Sequence, residues 1–345
     1  MEWLTMASVN LVYRDNGFGL SRDFRLLAGA LRHNGCEVYA TRIDARGERR
    51  RRRRGIAACL QAPRSLFGGL QRHLAAPRFD LNIMFEHLWP EQRPLAQRNA
   101  VLPNPEWFDR HDQRRLHSID AVWAKSRDAL DIFQALGCSA QLVGFHSEDR
   151  LDRDIPRQRQ FLHLAGGSRT KGTRRLLALW RRHPEWPLLT VLQHPSEAIE
   201  TPAAANIDHR IGYLDPRRPE ALHELVRLQN SHQFHVCTSE TDAWGHYLVE
   251  ALGVGAVTLT VDAPPMNERI TPECGLLVPY ARHEPMALAT RYYFDEQALE
   301  DTVNHALSLD TRALRQISDN ARDCFERNRD AFNHRVGLAL HRSLR

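Results

Sequence analysis

Short apolar runs alternate with longer amphipathic stretches almost from end to end of this chain. Residues 8–13 (SVNLVY) form a mostly apolar run that reads as a buried strand. The turn Arg14-Asp15-Asn16-Gly17-Phe18-Gly19 follows. From Leu20 onward Phe24, Leu27, Ala28 and Leu31 recur at the spacing of one helix face, and Gly35 closes that helix. Residues 37–41 open the next strand. The pattern predicts further strands at 79–85, 99–102, 121–124 and 141–145, with a helix over 127–136 between the last two. Residues 146–160 (HSEDRLDRDIPRQRQ) are polar, charged and proline-bearing, and read as a linker. The alternation then resumes with strands at 161–165, 188–192, 234–237, 256–261 and 275–278. Helices are predicted through 176–180, 222–230 and 246–254, and from 296 to the end; residues 206–207 read as loop. Apolar strands separated by amphipathic helices build parallel sheets covered on both faces. Two such series predict an α/β protein of two doubly wound domains, 1–150 and 151–325.

Composition agrees with that reading. The 345 residues are enough for two cores, and a hydrophobic content of 42% is ordinary for a globular chain. No run approaches the length of a membrane-spanning helix and the first residues lack a signal-peptide pattern, so a cytoplasmic protein is expected. The cysteines at 36, 59, 138, 237, 274 and 324 are scattered without a CxxC pair. They read as reduced thiols, with neither a zinc site nor a disulfide framework.

Charge is unevenly spread. Residues 1–150 hold 23 Lys+Arg against 17 Asp+Glu; the rest hold 24 against 25. Lys125 and Lys171 are the only lysines. Six consecutive arginines fill positions 49–54, Arg49 first and Arg54 last, and Ile56, Leu60, Leu66, Phe67, Leu70 and Leu74 follow. A basic block beside an amphipathic segment is what an anionic membrane surface attracts, which would make the protein peripheral on the inner face of the membrane. A merely solvated loop fits equally well, and nucleic acid less well.

The chemistry concentrates in residues 234–262, a strand–loop–helix–strand unit. Amides of Gly245, His246 and Tyr247 at the helix start are placed to meet a phosphate. Glu250, one turn in, has a carboxylate that can accept two hydroxyls of a ribose. Asp242, in the loop, can hold a second hydroxyl-bearing group. An ordinary helix start with acidic caps is the plainer alternative.

Asp242 and Glu250 are separated by seven residues that include Trp244-Gly245. Glu250-Ala251-Leu252 and the strand start Gly255-Ala256-Val257 follow. This arrangement resembles the nucleotide-sugar signature of retaining GT-B glycosyltransferases of family 4. The family commonly has Glu where this chain has Asp242, and Gly-Phe-Gly where it has Ala243-Trp244-Gly245. The resemblance implies two Rossmann-like domains facing a cleft, a final helix over 326–345 packed back on the N-terminal domain, and a donor held mainly by residues 151–325. It also implies that Arg169 and Lys171, in the loop with Ser168, neutralise the donor diphosphate. Gly17 and Gly19 then approach the diphosphate or the acceptor, and His87 faces the reacting sugar. The segment Ile211-Gly212-Tyr213-Leu214 receives the base, and residues 263–268 border the donor sugar. Asp242, Arg169, Lys171 and His87 are the expected catalytic residues. Glu86, Asn104 and Glu106, at strand carboxyl ends, are expected on the acceptor side.

The expected reaction moves a hexosyl group from a nucleoside-diphosphate sugar to a sugar, lipid-linked or polymer acceptor, in bacterial glycoconjugate or surface-polysaccharide synthesis. The resemblance implies that no metal takes part, and no cofactor beyond the donor is expected. A nucleotide-sugar epimerase or phosphorylase shares the fold, though the acidic pair argues for transfer. A non-catalytic polyanion-binding protein is the other alternative.

Overall fold

The computed structural model describes residues 6–15, 17, 19–44, 76–200 and 202–345. The arginine run at 49–54 and the apolar positions after it lie outside the described residues, as do Asn16 and Phe18. The chain divides into two compact units, one of residues 1–144 with 331–345, the other of residues 145–330.

The first unit is built on a parallel sheet of β1 (Ser8–Tyr13), β2 (Glu37–Arg42), β3 (Phe79–Glu86), β4 (Ala96–Pro103), β5 (Ala121–Ala124) and β6 (Ala140–Leu142). The spatial order is β2-β1-β3-β4-β5-β6. Its helices are α1 (Gly19–His33), the single turn α2 (Arg110–Gln113) and α3 (Arg127–Ala135). The central strands are buried on both faces, which is why they read as apolar runs. One polar stripe crosses that interior. Asn10 Nδ2 donates to Asn82 Oδ1 at 2.9 Å, Asn82 Nδ2 to Asn99 Oδ1 at 2.9 Å, and Thr41 Oγ1 to Asn10 Oδ1 at 3.0 Å. Strand register puts Asn10 opposite Asn82 and Asn82 opposite Asn99, so each buried amide finds a partner.

The second unit has β7 (Gln158–Gly166), β8 (Leu189–Gln193), β9 (Ile207–Ile211), β10 (His232–Cys237), β11 (Val257–Val261) and β12 (Gly275–Val278), ordered β12-β11-β10-β7-β8-β9. An antiparallel hairpin follows, β13 (Tyr280–Met286) with β14 (Ala289–Phe294). Its helices are α4 (Thr173–Arg182), α5 (Pro219–Ser231), α6 (His246–Gly253) and α7 (Glu296–Ser308). The long helix α8 (Thr311–Leu344) ends among residues of the first unit. There Trp123 Nε1 donates to Ser343 Oγ at 3.0 Å and Arg335 Nε to the Val143 carbonyl at 2.9 Å. No described helix is long and apolar enough to cross a membrane.

The structure departs from the sequence pattern in four places. β9 begins at Ile207, in the loop read at 206–207, and was not anticipated as a strand: it is a sheet-edge strand (IDHRI), so no apolar run marks it. The hairpin has a mostly exposed first strand and was not anticipated. The strand expected at 141–145 spans only 140–142, and Gly144 turns away at φ +63°. The linker read at 146–160 already contains the start of β7, and it carries the buried Ser147 and Arg150 into the second unit.

Candidate functional site

In the second unit the winding direction reverses between β7 and β10, and the loops leaving these strands meet at the carboxyl edge of the sheet. Such a reversal is where open α/β sheets bind ligands. Glycine makes the approach possible. A Cβ on Gly172, at φ +65°, would stand 2.7 Å from the Thr238 carbonyl oxygen. Two bonds stitch the loops together: Thr238 Oγ1 donates to the Lys171 carbonyl at 2.8 Å, and the Glu240 amide to the Thr170 carbonyl at 2.8 Å.

Lys171 and Asp242 meet there. The Lys171 ammonium is hydrogen-bonded to Asp242 Oδ2, donates to Ser239 Oγ at 3.0 Å, and lies 3.8 Å above the Tyr247 ring. The phenol oxygen of Tyr247 lies 2.6 Å from Ser239 Oγ and accepts the Ser239 amide at 3.0 Å, so ring and lysine are fixed together. Burial pushes the Asp242 carboxyl up, but the Lys171 charge and hydrogen bond and the Gly245 amide pull it further down, to a net position below its usual range. Burial drives the Tyr247 phenol well above its usual value.

Gly245 is the N-cap of α6, and its φ of +78° suits glycine. The sequence reading left the Gly245 amide for a phosphate. In the structure it donates to Asp242 Oδ1 at 2.8 Å, a side-chain turn that closes the loop just ahead of the helix. His246 and Tyr247 occupy the first turn behind it, and the His246 ring nitrogen Nδ1 lies 2.8 Å from Ser147 Oγ.

Other expected donor groups are more dispersed. Arg169 is 82% exposed and pairs with Glu197 at 2.8 Å, apart from the Lys171 network. Ser168 Oγ lies 3.0 Å from Thr170 Oγ1 within its own loop. Glu250 points into the interior, with Oε1 2.9 Å from Arg150 and Oε2 accepting Gln229 Nε2 at 2.5 Å. Both of its oxygens, expected on a ribose, thus already meet protein groups. Ile211 and Tyr213 are exposed, with the His194 ring 5.7 Å from that of Tyr213.

Sequence reasoning missed Ser239 and Glu240. Glu240 is buried and paired with Arg291 of β14 at 2.5 Å, and its carbonyl accepts the Tyr292 amide at 2.6 Å. The hairpin therefore holds the loop that presents Asp242. The only signal in the sequence was the acidic residue two positions before Asp242.

The first unit reverses between β1 and β3. After β1, the Gly17 amide donates to Ser21 Oγ at 2.9 Å, and Gly19 starts α1, where an added Cβ would meet nothing within 4 Å among the described residues. After β3 stand Glu86 and His87. His87 Nδ1 lies 2.7 Å from Asp112 Oδ2, and Nε2 lies 3.7 Å from Glu86 Oε2. Asn104 Nδ2 donates to Glu86 Oε1 at 3.4 Å, and Asn104 Oδ1 accepts Lys125 at 2.8 Å. Lys125 continues to Asp23 of α1 at 2.5 Å. The structure so gathers Glu86, His87 and Asn104 into one chain with Asp23, Asp112 and Lys125, which the sequence did not flag. Glu106 is buried in the turn after Asn104.

No family model matches the sequence, and no curated protein does. Solved structures do match in shape. A glycosyltransferase from Rickettsia africae superposes with a TM-score of 0.66 at 12% identity, over 99% of this chain and 98% of its own. Anabaena HepE, solved with UDP and glucose, gives 0.65 at 13% over 97% and 100%. Sucrose-phosphate synthase from Thermosynechococcus elongatus gives 0.65 at 14% over 97% and 98%. The fold is GT-B. Identities this low establish the GT-B architecture alone; activity has to be argued from the residues.

Proposed function

We propose that the protein is a glycosyltransferase that moves a hexosyl group from a nucleoside-diphosphate sugar to an acceptor hydroxyl, with retention of anomeric configuration. One observation carries the reading: Lys171 and Asp242 are brought together at the sheet reversal, beside the starts of α4 and α6. A diphosphate entering there exchanges Asp242 for its own oxygens as the partner of Lys171, and gains the first-turn amides of α6. Asp242, so released, accepts a hydroxyl of the donor sugar. Arg169 holds only an exposed ion pair, so turning it to the diphosphate costs little. As the bond to the anomeric carbon breaks, negative charge grows on the leaving diphosphate, and fixed cations and amides stabilise it more than they stabilise the bound donor. Charge neutralisation is assigned to these groups rather than to a metal.

Tyr213 and Ile211 offer an exposed face for the base. Glu250 reaches a ribose only by giving up Arg150 or Gln229. Retention follows the Asp242–Glu250 pattern, and HepE's complexes with UDP and glucose make UDP-glucose the first donor to try. His87 is assigned to the reacting sugar, and Glu86, Asn104 and Glu106 to the acceptor side. A sugar, lipid-linked or polymer acceptor at a membrane surface, reached through residues 49–54, completes the proposal.

The test is incubation with UDP- and GDP-hexoses, followed by NMR. Slow release of nucleoside diphosphate, with the liberated sugar first appearing in the donor's anomeric configuration, is expected. Absence of both hydrolysis and nucleoside-diphosphate binding by calorimetry would sink the reading.

A further inference from the structure

Glu240 stands two residues before Asp242, and three of its groups are engaged by neighbouring elements. Its amide donates to the Thr170 carbonyl at 2.8 Å, and its carbonyl accepts the Tyr292 amide at 2.6 Å. Its buried carboxylate accepts Arg291 Nε at 2.7 Å, with Arg291 Nη2 2.5 Å from the same oxygen. Burial lifts this carboxyl above its usual range, and the Arg291 hydrogen bond and charge offset part of that rise. Arg291 and Tyr292 are consecutive in β14. One attachment would leave the loop a hinge. Two, to the carbonyl and the carboxylate of one residue, fix its orientation as well.

The hairpin also reaches the other donor loop. The Arg175 guanidinium of α4 lies 4.4 Å from the centre of the Phe294 ring, at the end of β14, and a Cβ on Gly172 would stand 3.4 Å from Cε1 of that ring. Within the hairpin, the Tyr293 hydroxyl donates to Glu284 Oε1 at 2.5 Å, and Arg282 stacks on the Tyr293 ring at 3.5 Å. Asp242 has bonds of another kind beside Lys171. The Gly245 amide at 2.8 Å and Ser239 Oγ at 3.4 Å belong to its own loop and travel with it. When Lys171 turns from Asp242 to a diphosphate, the anchors at Glu240 decide where Asp242 stands.

We propose that Arg291 is a positioning residue: acting through Glu240, it keeps the loop of residues 238–242 in place while Lys171 passes from Asp242 to the donor diphosphate, so that Asp242 stays where it meets the donor sugar. The part played by the donor rests on the glycosyltransferase reading; the hold on the loop does not. Arg291→Lys keeps the charge and loses the guanidinium's fixed fork of donors. Glu240→Gln keeps the shape and loses the charge. Arg282→Ala is the control on the same hairpin face, since its side chain is 60% exposed and pairs with Glu284.

Two measurements test it: hydrolysis of UDP-glucose, and hydrogen exchange of the amides of residues 238–245 with and without UDP. Glu240→Gln and Arg291→Lys should each lower kcat/KM roughly tenfold. The double variant should lose little more than either alone, because both changes break one hold. Exchange across 238–245 should quicken in both variants, and the difference from the wild type should widen with UDP bound. Arg282→Ala should change neither readout. Unchanged exchange in folded variants, additive losses in the double variant, or equal losses in Arg282→Ala would each overturn the proposal. So would a fall in urea midpoint with kcat/KM per folded molecule preserved, the mark of a merely structural pair. If the wild type hydrolyses no donor, the glycosyltransferase reading fails, and exchange without UDP still decides whether Arg291 holds the loop. Should Arg291→Lys fail to fold, Glu240→Gln against Arg282→Ala decides it.

Discussion

The chain has two lysines, one in each unit, and each is paired with one aspartate. Their surroundings differ. Lys125 and Asp23 have side chains only 3% and 5% exposed, and Asn104 supplies a further partner. Lys171 and Asp242 are 12% and 22% exposed, beside a serine hydroxyl and an aromatic face. A charge pair sealed in the interior cannot be separated without stranding a charge away from water. A half-buried pair that still reaches solvent can exchange its partner for a ligand at smaller cost. The first pair therefore ties α1 to the end of β5, and the second is poised to release a cation to an incoming anion.

Lys125→Met tests this contrast most severely. It removes the ammonium that the buried Asp23 carboxylate accepts, and should lower stability by about 3–5 kcal/mol in urea denaturation. Lys171→Met, compared in the same way, should lose less than about 1 kcal/mol, since Asp242 can take up water. Equal losses would end the distinction between a sealed and an exchangeable pair.

The second expectation concerns turnover. Lys171→Met should stay folded and lose roughly 100-fold in donor hydrolysis, about 3 kcal/mol, the usual loss when one donor to a developing anion is removed. Unchanged hydrolysis in a folded variant would take Lys171 out of the donor site.

Acid sharpens the comparison from another side. His163 lies in β7 with Nδ1 2.7 Å from the Val236 carbonyl oxygen and Nε2 2.9 Å from Thr173 Oγ1. Burial holds its pKa down to about 4, and burial holds that of His235 down to about 3, against 6.5 for the ordinary group. Below pH 6.5 the unfolded chain takes up protons that these buried rings refuse. Their contribution is therefore whole above that pH and is lost as pH falls toward the folded values. For His163 alone the loss by pH 5 is about 2 kcal/mol. Urea midpoints at pH 7 and pH 5 should spread apart in the wild type and draw together in His163→Gln. An equal spread in both would show that His163 does not control it.

The smallest effect is expected from Arg169→Ala. Its ion pair with Glu197 is exposed, so stability should change by less than about 1 kcal/mol. Its turnover loss should be smaller than that of Lys171→Met, because the guanidinium must first turn from Glu197. A loss as large as that of Lys171→Met would give Arg169 an equal share of the diphosphate.

The second unit was more legible in the sequence than the first, and the reason is contiguity. Residues 234–262 carry strand, loop, helix and strand without a break, and the chemistry of the loop is local to them. Gly245, Asp242 and Tyr247 meet because they are neighbours in the chain. The first unit's polar chain draws on α1, α2 and the ends of three strands, so no short window contains it. The Asn10–Asn82–Asn99 stripe was hidden for a related reason: each asparagine sits singly among buried residues of its own strand, and only the strand register sets the three side by side. Glu250 shows the converse. Its position in the motif was plain, but its inward aim at Arg150 and Gln229 was not.

By itself the sequence determined what depends on near neighbours: the alternation that sets two parallel sheets, the glycines that end or start helices, and the residue types gathered in each loop. The tertiary structure alone decided which charges face each other. Lys125 and Asp23 are 102 residues apart in the chain, and Lys171 and Asp242 are 71 apart. Periodicity reports that a side chain is buried or exposed, because that depends on its own element. It does not report its partner, which depends on the order in which strands lie side by side.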